Sequence, residues 1–249
     1  MATKLYNFGC SFSYGNCAKT KNNLIDKHIG PGTLVAGHLG LEEVNYAANG
    51  DSNDGILRKL YTYPIEPNNV ALVGITGATR FGVVGPEDKP TKHKKVRLKN
   101  NITNKMQEFF AKPSKARQRA FTLGPDLPIE PDYFTKIKGA LAPGNWDKFE
   151  TFTYRTLLNV VSIQKRLEEL GMKYYFYNTL DSQIMEDGYA KELKILRSYI
   201  NFDQYFEPNN AIMPWVDVNK DLWIADDDSH PNHYAYSIWF EKFKQWLPN

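Results

Sequence analysis

Short apolar runs alternate with stretches of helical spacing over most of the chain. Residues 4–9 read as a first strand ending at Gly9. A short helix is predicted over 33–40: Thr33 is placed to cap it, Leu34, Val35, His38 and Leu39 share a face, and Gly40 stops it. Residues 43–47 give a second strand. A turn over 48–53 leads into a helix over 54–62, with Ile56, Leu57, Leu60 and Tyr61 at helical spacing and Pro64 and Pro67 beyond its end. The continuous apolar run 69–76 is the pattern of a central parallel strand. A second block predicts a helix over 153–170, along the stripe Leu157, Val160, Val161, Gln164, Leu167 and Leu170. Gly171 stops it, and a strand over 172–178 and a helix over 189–200 come next. A last helix, from about 233 to 247, carries Ala235, Ile238, Trp239, Phe243, Trp246 and Leu247 on its apolar face. Strands alternating with helices imply βαβ units, a mainly parallel sheet and an α/β fold.

Between the two blocks the pattern fails. Residues 82–150 are rich in Pro, Gly and Lys, with one helix expected around 102–120. So long a structureless loop is uncommon in a compact domain, so the stretch reads as an inserted lid or arm. The length of 249 residues then suits a single domain, 1–249, carrying that insertion. With 42% apolar and 24% charged residues the chain has a globular composition, not that of a disordered one.

The net charge of +3 hides an asymmetry. From Lys89 to Arg119 there are eight Lys, three Arg and one acid, Glu108, a local charge of +10, which leaves −7 on the remainder. The aromatic strand 172–178 reads as core, and Trp146, inside the insertion, as ordinary packing or the wall of a substrate groove. No apolar run reaches the ~20 residues that span a bilayer. The first eight residues are too polar for a signal peptide, and Cys10 and Cys17 do not make a disulfide framework. A cytoplasmic location is the expectation.

In parallel sheets reactive groups gather at the carboxyl ends of strands. The first strand runs into Gly9-Cys10-Ser11-Phe12-Ser13-Tyr14-Gly15. Ser11 is placed there either as a nucleophile, with amides of the adjoining turn beside it, or as a helix cap. The second strand runs into a turn where Gly50 either brings its N–H to a substrate or simply turns the chain. Before the last helix stands Asp226-Asp227-Asp228-Ser229-His230-Pro231-Asn232-His233. An Asp three residues before a His can hold its Nδ1 and leave Nε2 to take a proton. The alternatives are an acidic helix start and a cation site, for which a third ligand is missing, so no metal or cofactor is expected.

Taken in order along the chain, Gly-x-Ser, Asn-x-x-x-x-Gly and Asp-x-x-His resemble the SGNH/GDSL hydrolases. So do Thr33-Leu34-Val35-Ala36-Gly37-His38-Leu39-Gly40 and the His-Pro-Asn that opens the last helix. The resemblance covers about 1–80 and 150–247 and is strongest to short, divergent members encoded by tailed bacteriophages. It implies a three-layer, flavodoxin-like fold and hydrolysis of an acyl or acetyl ester, often on a sugar or lipid. It makes Ser11 the nucleophile, His230 the base, Asp227 its orienting carboxylate, and the Ser11 and Gly50 amides oxyanion donors.

Two departures stand out. Cys10 replaces the family's Asp in Gly-Asp-Ser-Leu, and the Gly-x-Asn-Asp expected after strand 69–76 is Gly74-Ile75-Thr76-Gly77. Thr76, Thr79 or Arg80 is left to supply the third oxyanion donor. Loss of that donor also raises the alternative of a non-catalytic binding module. A further alternative is a nucleic acid or other anionic ligand on the basic stretch 89–119, although no nucleic-acid motif is present. The expected partner is a small-molecule or glycan ester, with no membrane.

Overall fold

The computed structural model describes residues 2–15, 29–77, 80–84, 118–122, 149–181, 183–185, 191–225 and 228–247. A five-stranded parallel sheet has the order β2-β1-β3-β6-β7. Its strands are β1 (Lys4–Phe8), β2 (Glu42–Asn45), β3 (Val70–Ile75), β6 (Lys173–Asn178) and β7 (Tyr205–Ala211). The small antiparallel ladders β4 (Arg80–Val84) with β5 (Gln118–Thr122), and β8 (Trp223–Ala225) with β9 (Asp228–Pro231), lie outside it. The helices are α1 (Ser11–Tyr14), α2 (Pro31–Leu39), α3 (Asn53–Thr62), α4 (Phe149–Glu169), α5 (Lys191–Ser198), α6 (Ile212–Asp217) and α7 (His233–Trp246).

The alternation of side chains along a strand divides the core in two. Ala71, Val73 and Ile75 of β3 join Tyr6, Phe8, Tyr174 and Phe176 beneath Ile56 and Leu60 of α3 and Leu157, Val160, Ile163 and Leu167 of α4. Val70 and Leu72 face the other way, with Leu5, Tyr175 and Tyr177, against α2, α6 and α7. Two helical layers thus enclose one sheet, and the aromatic residues of β6 are core, as expected. Burial on both faces explains why β3 is apolar at every position.

Several boundaries differ from the sequence expectation. The second helix starts at Pro31, whose fixed φ suits the first helical position, and Gly30 precedes it. Thr33 does not cap it; its hydroxyl donates to Glu43 Oε2 at 2.7 Å. Gly40 does stop it, in the left-handed region at φ 66°. The acidic cluster does not cap the last helix either, because the Asn232 side chain accepts from the Ala235 N–H. Residues 118–120, expected to close a helix, belong to strand β5. The rest of that helix, Trp146, Cys17, Thr79 and most of the basic stretch lie outside the described residues. Strand β7, helix α6 and the β8–β9 hairpin were not anticipated. No described helix is long and apolar enough to cross a membrane.

Gly9 and Gly74 leave room where the site will stand. Gly9 has φ 145°, and a Cβ there would meet Ser13 Oγ at 2.0 Å. A Cβ on Gly74 would meet the same oxygen at 2.2 Å. Ser13 is buried and accepts from the Tyr177 hydroxyl at 2.7 Å, so it has no room to yield. Gly74→Ala is expected to destabilise the fold by about 1–3 kcal/mol through overpacking, read from urea unfolding.

Candidate active site

Ser11 is the first residue of α1, immediately past β1, and is 5% exposed. The Asn7 side chain fastens this turn by donating to Ser13 O at 2.9 Å and to Glu43 Oε1 at 3.1 Å. The neighbouring Cys10 is directed the other way. It is fully buried, with Sγ 3.4 Å from Thr179 Oγ1. The only hydroxyl hydrogen of Thr179 goes to Ile75 O at 2.8 Å, so the Cys10 thiol is the donor of that contact. Ser11, not Cys10, faces the strand-end cleft.

Across from Ser11 stands His230, delivered by β9. Its Nε2 lies 2.8 Å from Ser11 Oγ. Its Nδ1 lies 2.6 Å from Asp228 Oδ1, which also accepts the His230 backbone N–H at 3.2 Å. A carboxylate only accepts, so the imidazole proton sits on Nδ1. Nε2 then carries the lone pair and accepts from the Ser11 hydroxyl. The Phe12 ring, 5.1 Å from the imidazole between centroids, walls one side.

The carboxylate on Nδ1 therefore belongs to Asp228, two residues before His230, whereas the sequence pointed to Asp227. Asp227 itself lies outside the described residues. The physical reason for the two-residue spacing is the strand. Residues 228–231 are extended, and in an extended chain positions i and i+2 share a face. Reading 228–231 as strand was the signal that could have found Asp228.

Gly50 occupies the next strand-end turn. The Asp51 N–H donates to Ala48 O at 3.1 Å, closing a β-turn over 48–51 with Gly50 at φ 71°. A left-handed third position is the one glycine accepts without strain. This turn hydrogen bond uses the Asp51 N–H and not that of Gly50. Ala48 N–H donates to Gly9 O at 2.9 Å and ties the Gly50 turn to the Ser11 turn. Behind it, Lys59 Nζ reaches Asp51 Oδ2 and Tyr46 O, each at 2.7 Å. The pair is almost wholly buried, and sequence reasoning missed it. Burial pushes the Asp51 carboxyl up, and Lys59 pulls it back.

The position after β3 does not supply the expected third donor from Thr76. Its N–H donates to Asn53 Oδ1 at 2.9 Å, its hydroxyl to the same oxygen at 3.3 Å, and its carbonyl accepts from Asn53 Nδ2 at 3.0 Å. Its one hydroxyl hydrogen is committed. Arg80 begins β4, and Thr79 lies outside the described residues.

Sheet order and the two helical layers define the class, a three-layer α/β protein with a parallel sheet, and Ser11, His230 and Asp228 meet at its strand ends. Similar solved structures include the psychrotrophic esterase EstA from Pseudoalteromonas, at 13% identity and TM-score 0.45, covering 99% of this chain and 100% of that one. Another is a lipase/acylhydrolase from Enterococcus faecalis, at 12% identity and TM-score 0.41, covering 98% and 94%. A third is a carbohydrate esterase described as having divergent catalytic and non-catalytic binding functions in its active site, at 13% identity and TM-score 0.44, covering 98% and 67%. No family model matches the chain, and a search of curated proteins finds no match.

Proposed function

We propose that this protein is a serine ester hydrolase acting on an acyl or acetyl ester of a small molecule or glycan. The observation that carries the reading is the continuous relay from Ser11 Oγ through His230 to Asp228. His230 Nε2 removes the hydroxyl proton as Ser11 Oγ attacks the ester carbonyl. Asp228 stabilises the imidazolium that forms and keeps the ring in its tautomer. The amides of Ser11 and Gly50 receive the charge that develops on the carbonyl oxygen. His230 then returns its proton to the leaving alcohol, and a water deprotonated by the same nitrogen releases the acid and restores Ser11.

The two aspartates test the relay. With p-nitrophenyl acetate as substrate, Asp228→Asn is expected to lower kcat by about 10⁴-fold, because an amide in place of the carboxylate favours the wrong imidazole tautomer. Asp227→Asn is expected to stay within a few-fold of the parent. The reverse ranking would move the carboxylate role to Asp227.

A further inference from the structure

A cavity of about 440 Å³ opens at the carboxyl ends of β6 and β7, between α6 and α7. Neither Ser11, Gly50 nor His230 lines it, so it is separate from the ester site. Its volume lies in the range of small-molecule sites. We propose that it is a sugar-binding site that takes one neutral pyranose unit.

The walls and mouth define the class of ligand. Phe206, Trp215 and Trp239 give it three aromatic walls. Trp239 is 6% exposed, and its indole N–H, which has no acceptor among the described residues, is not among the fully buried polar atoms and so keeps access to water. At the rim stand the exposed side-chain amide of Asn209 and the charged ends of Glu207 and Lys242. Lys242 Nζ sits 5.9 Å from the Trp215 ring centroid. Glu207 is held at φ 41°, a conformation its side chain does not favour. Asn210 Nδ2 donates to its carboxylate at 3.4 Å. By contrast, Asn178 is spent on shaping the strand, donating to Pro208 O and Asn210 O and accepting from Tyr205.

An acyl chain would cover the aromatic walls but displace water from the Trp239 N–H without offering it an acceptor, which is costly. A small anion would meet the Glu207 carboxylate. A pyranose presents both required surfaces. Its C–H face lies on an indole, its oxygens accept from Trp239, Asn209 and Lys242, and a hydroxyl donates to Glu207.

The test uses the full chain and does not depend on Ser11. Methyl glucoside, methyl galactoside, methyl mannoside and N-acetylglucosamine are titrated to millimolar concentration, followed by tryptophan fluorescence and saturation-transfer NMR. At least one is expected to bind saturably, with ring C–H protons receiving the strongest transfer. Asn209→Ala and Lys242→Ala change exposed residues, and each is expected to weaken that binding severalfold without changing the melting temperature. Trp215→Ala is expected to weaken it about tenfold or more. No saturable binding by any of the four sugars would overturn the proposal. So would binding that survives all three substitutions unchanged.

Discussion

Ser11→Ala is expected to lower the hydrolysis of p-nitrophenyl acetate by about 10⁵–10⁶-fold in kcat, with the fold intact. The substitution removes only an oxygen, from a residue already among the small side chains of a tight turn. Its loss leaves His230 Nε2 facing a methyl group in place of the hydroxyl 2.8 Å away. Ser13, two residues on, cannot substitute. It is fully buried and bonded to Tyr177. Cys10 is turned toward Thr179 in the core. A small residual rate is expected from the Ser11 and Gly50 amides, which the substitution leaves in place. Near-parental activity in Ser11→Ala would refute the assignment of the nucleophile.

The second large effect concerns stability. Lys59→Met is expected to destabilise the fold by about 3–5 kcal/mol in urea unfolding at neutral pH, because it strands a buried carboxylate. Asp51, at 3% exposure, still accepts from the Ser52 N–H, but an amide donor does not replace the ammonium 2.7 Å away. The double variant Asp51→Asn/Lys59→Met is expected to recover most of that loss. Its amide oxygen still accepts from Ser52, and neither charge remains to be desolvated. The pair also makes stability depend on pH. Burial already pushes the Asp51 carboxyl up, and Lys59 is the charge that opposes it. Without Lys59 the folded variant holds a proton there more tightly than the unfolded chain does. Its stability therefore rises as pH falls through that raised value, and the deficit against the parent narrows in acid. A deficit that is constant with pH would show that the two groups are not coupled.

The sheet was legible in the sequence where both faces or one helical stripe is buried. Residues 70–75 could form nothing but a central strand, and the stripe Leu157, Val160 and Leu167 could face only a core. The last helix was equally plain. Strand β7 was not, since Pro208-Asn209-Asn210 has the composition of a turn. Among the described residues it is an edge strand that pairs only with β6 and shifts register after Tyr177, so Pro208 interrupts no second ladder there. In the site, Ser11 and His230 were legible from their places just after β1 and just before α7. Asp228 could not be separated from Asp226 and Asp227 by type. Only the extended backbone of 228–231 puts it beside the imidazole. The Asp51–Lys59 pair escaped because two charges eight positions apart, in a turn and a helix, look solvated until the tertiary fold buries them. The same holds for Thr76, whose availability depends on Asn53, 23 residues earlier in the chain.

The most direct test of the central claim is covalent capture. The full chain is incubated with a p-nitrophenyl alkylphosphonate, which phosphonylates an activated serine by losing p-nitrophenolate, and the adduct is located by peptide mass mapping. The relay from Asp228 through His230 predicts a single stoichiometric adduct on Ser11, formed far more slowly in His230→Ala. An adduct on any other residue, or none while ester hydrolysis proceeds, would contradict it.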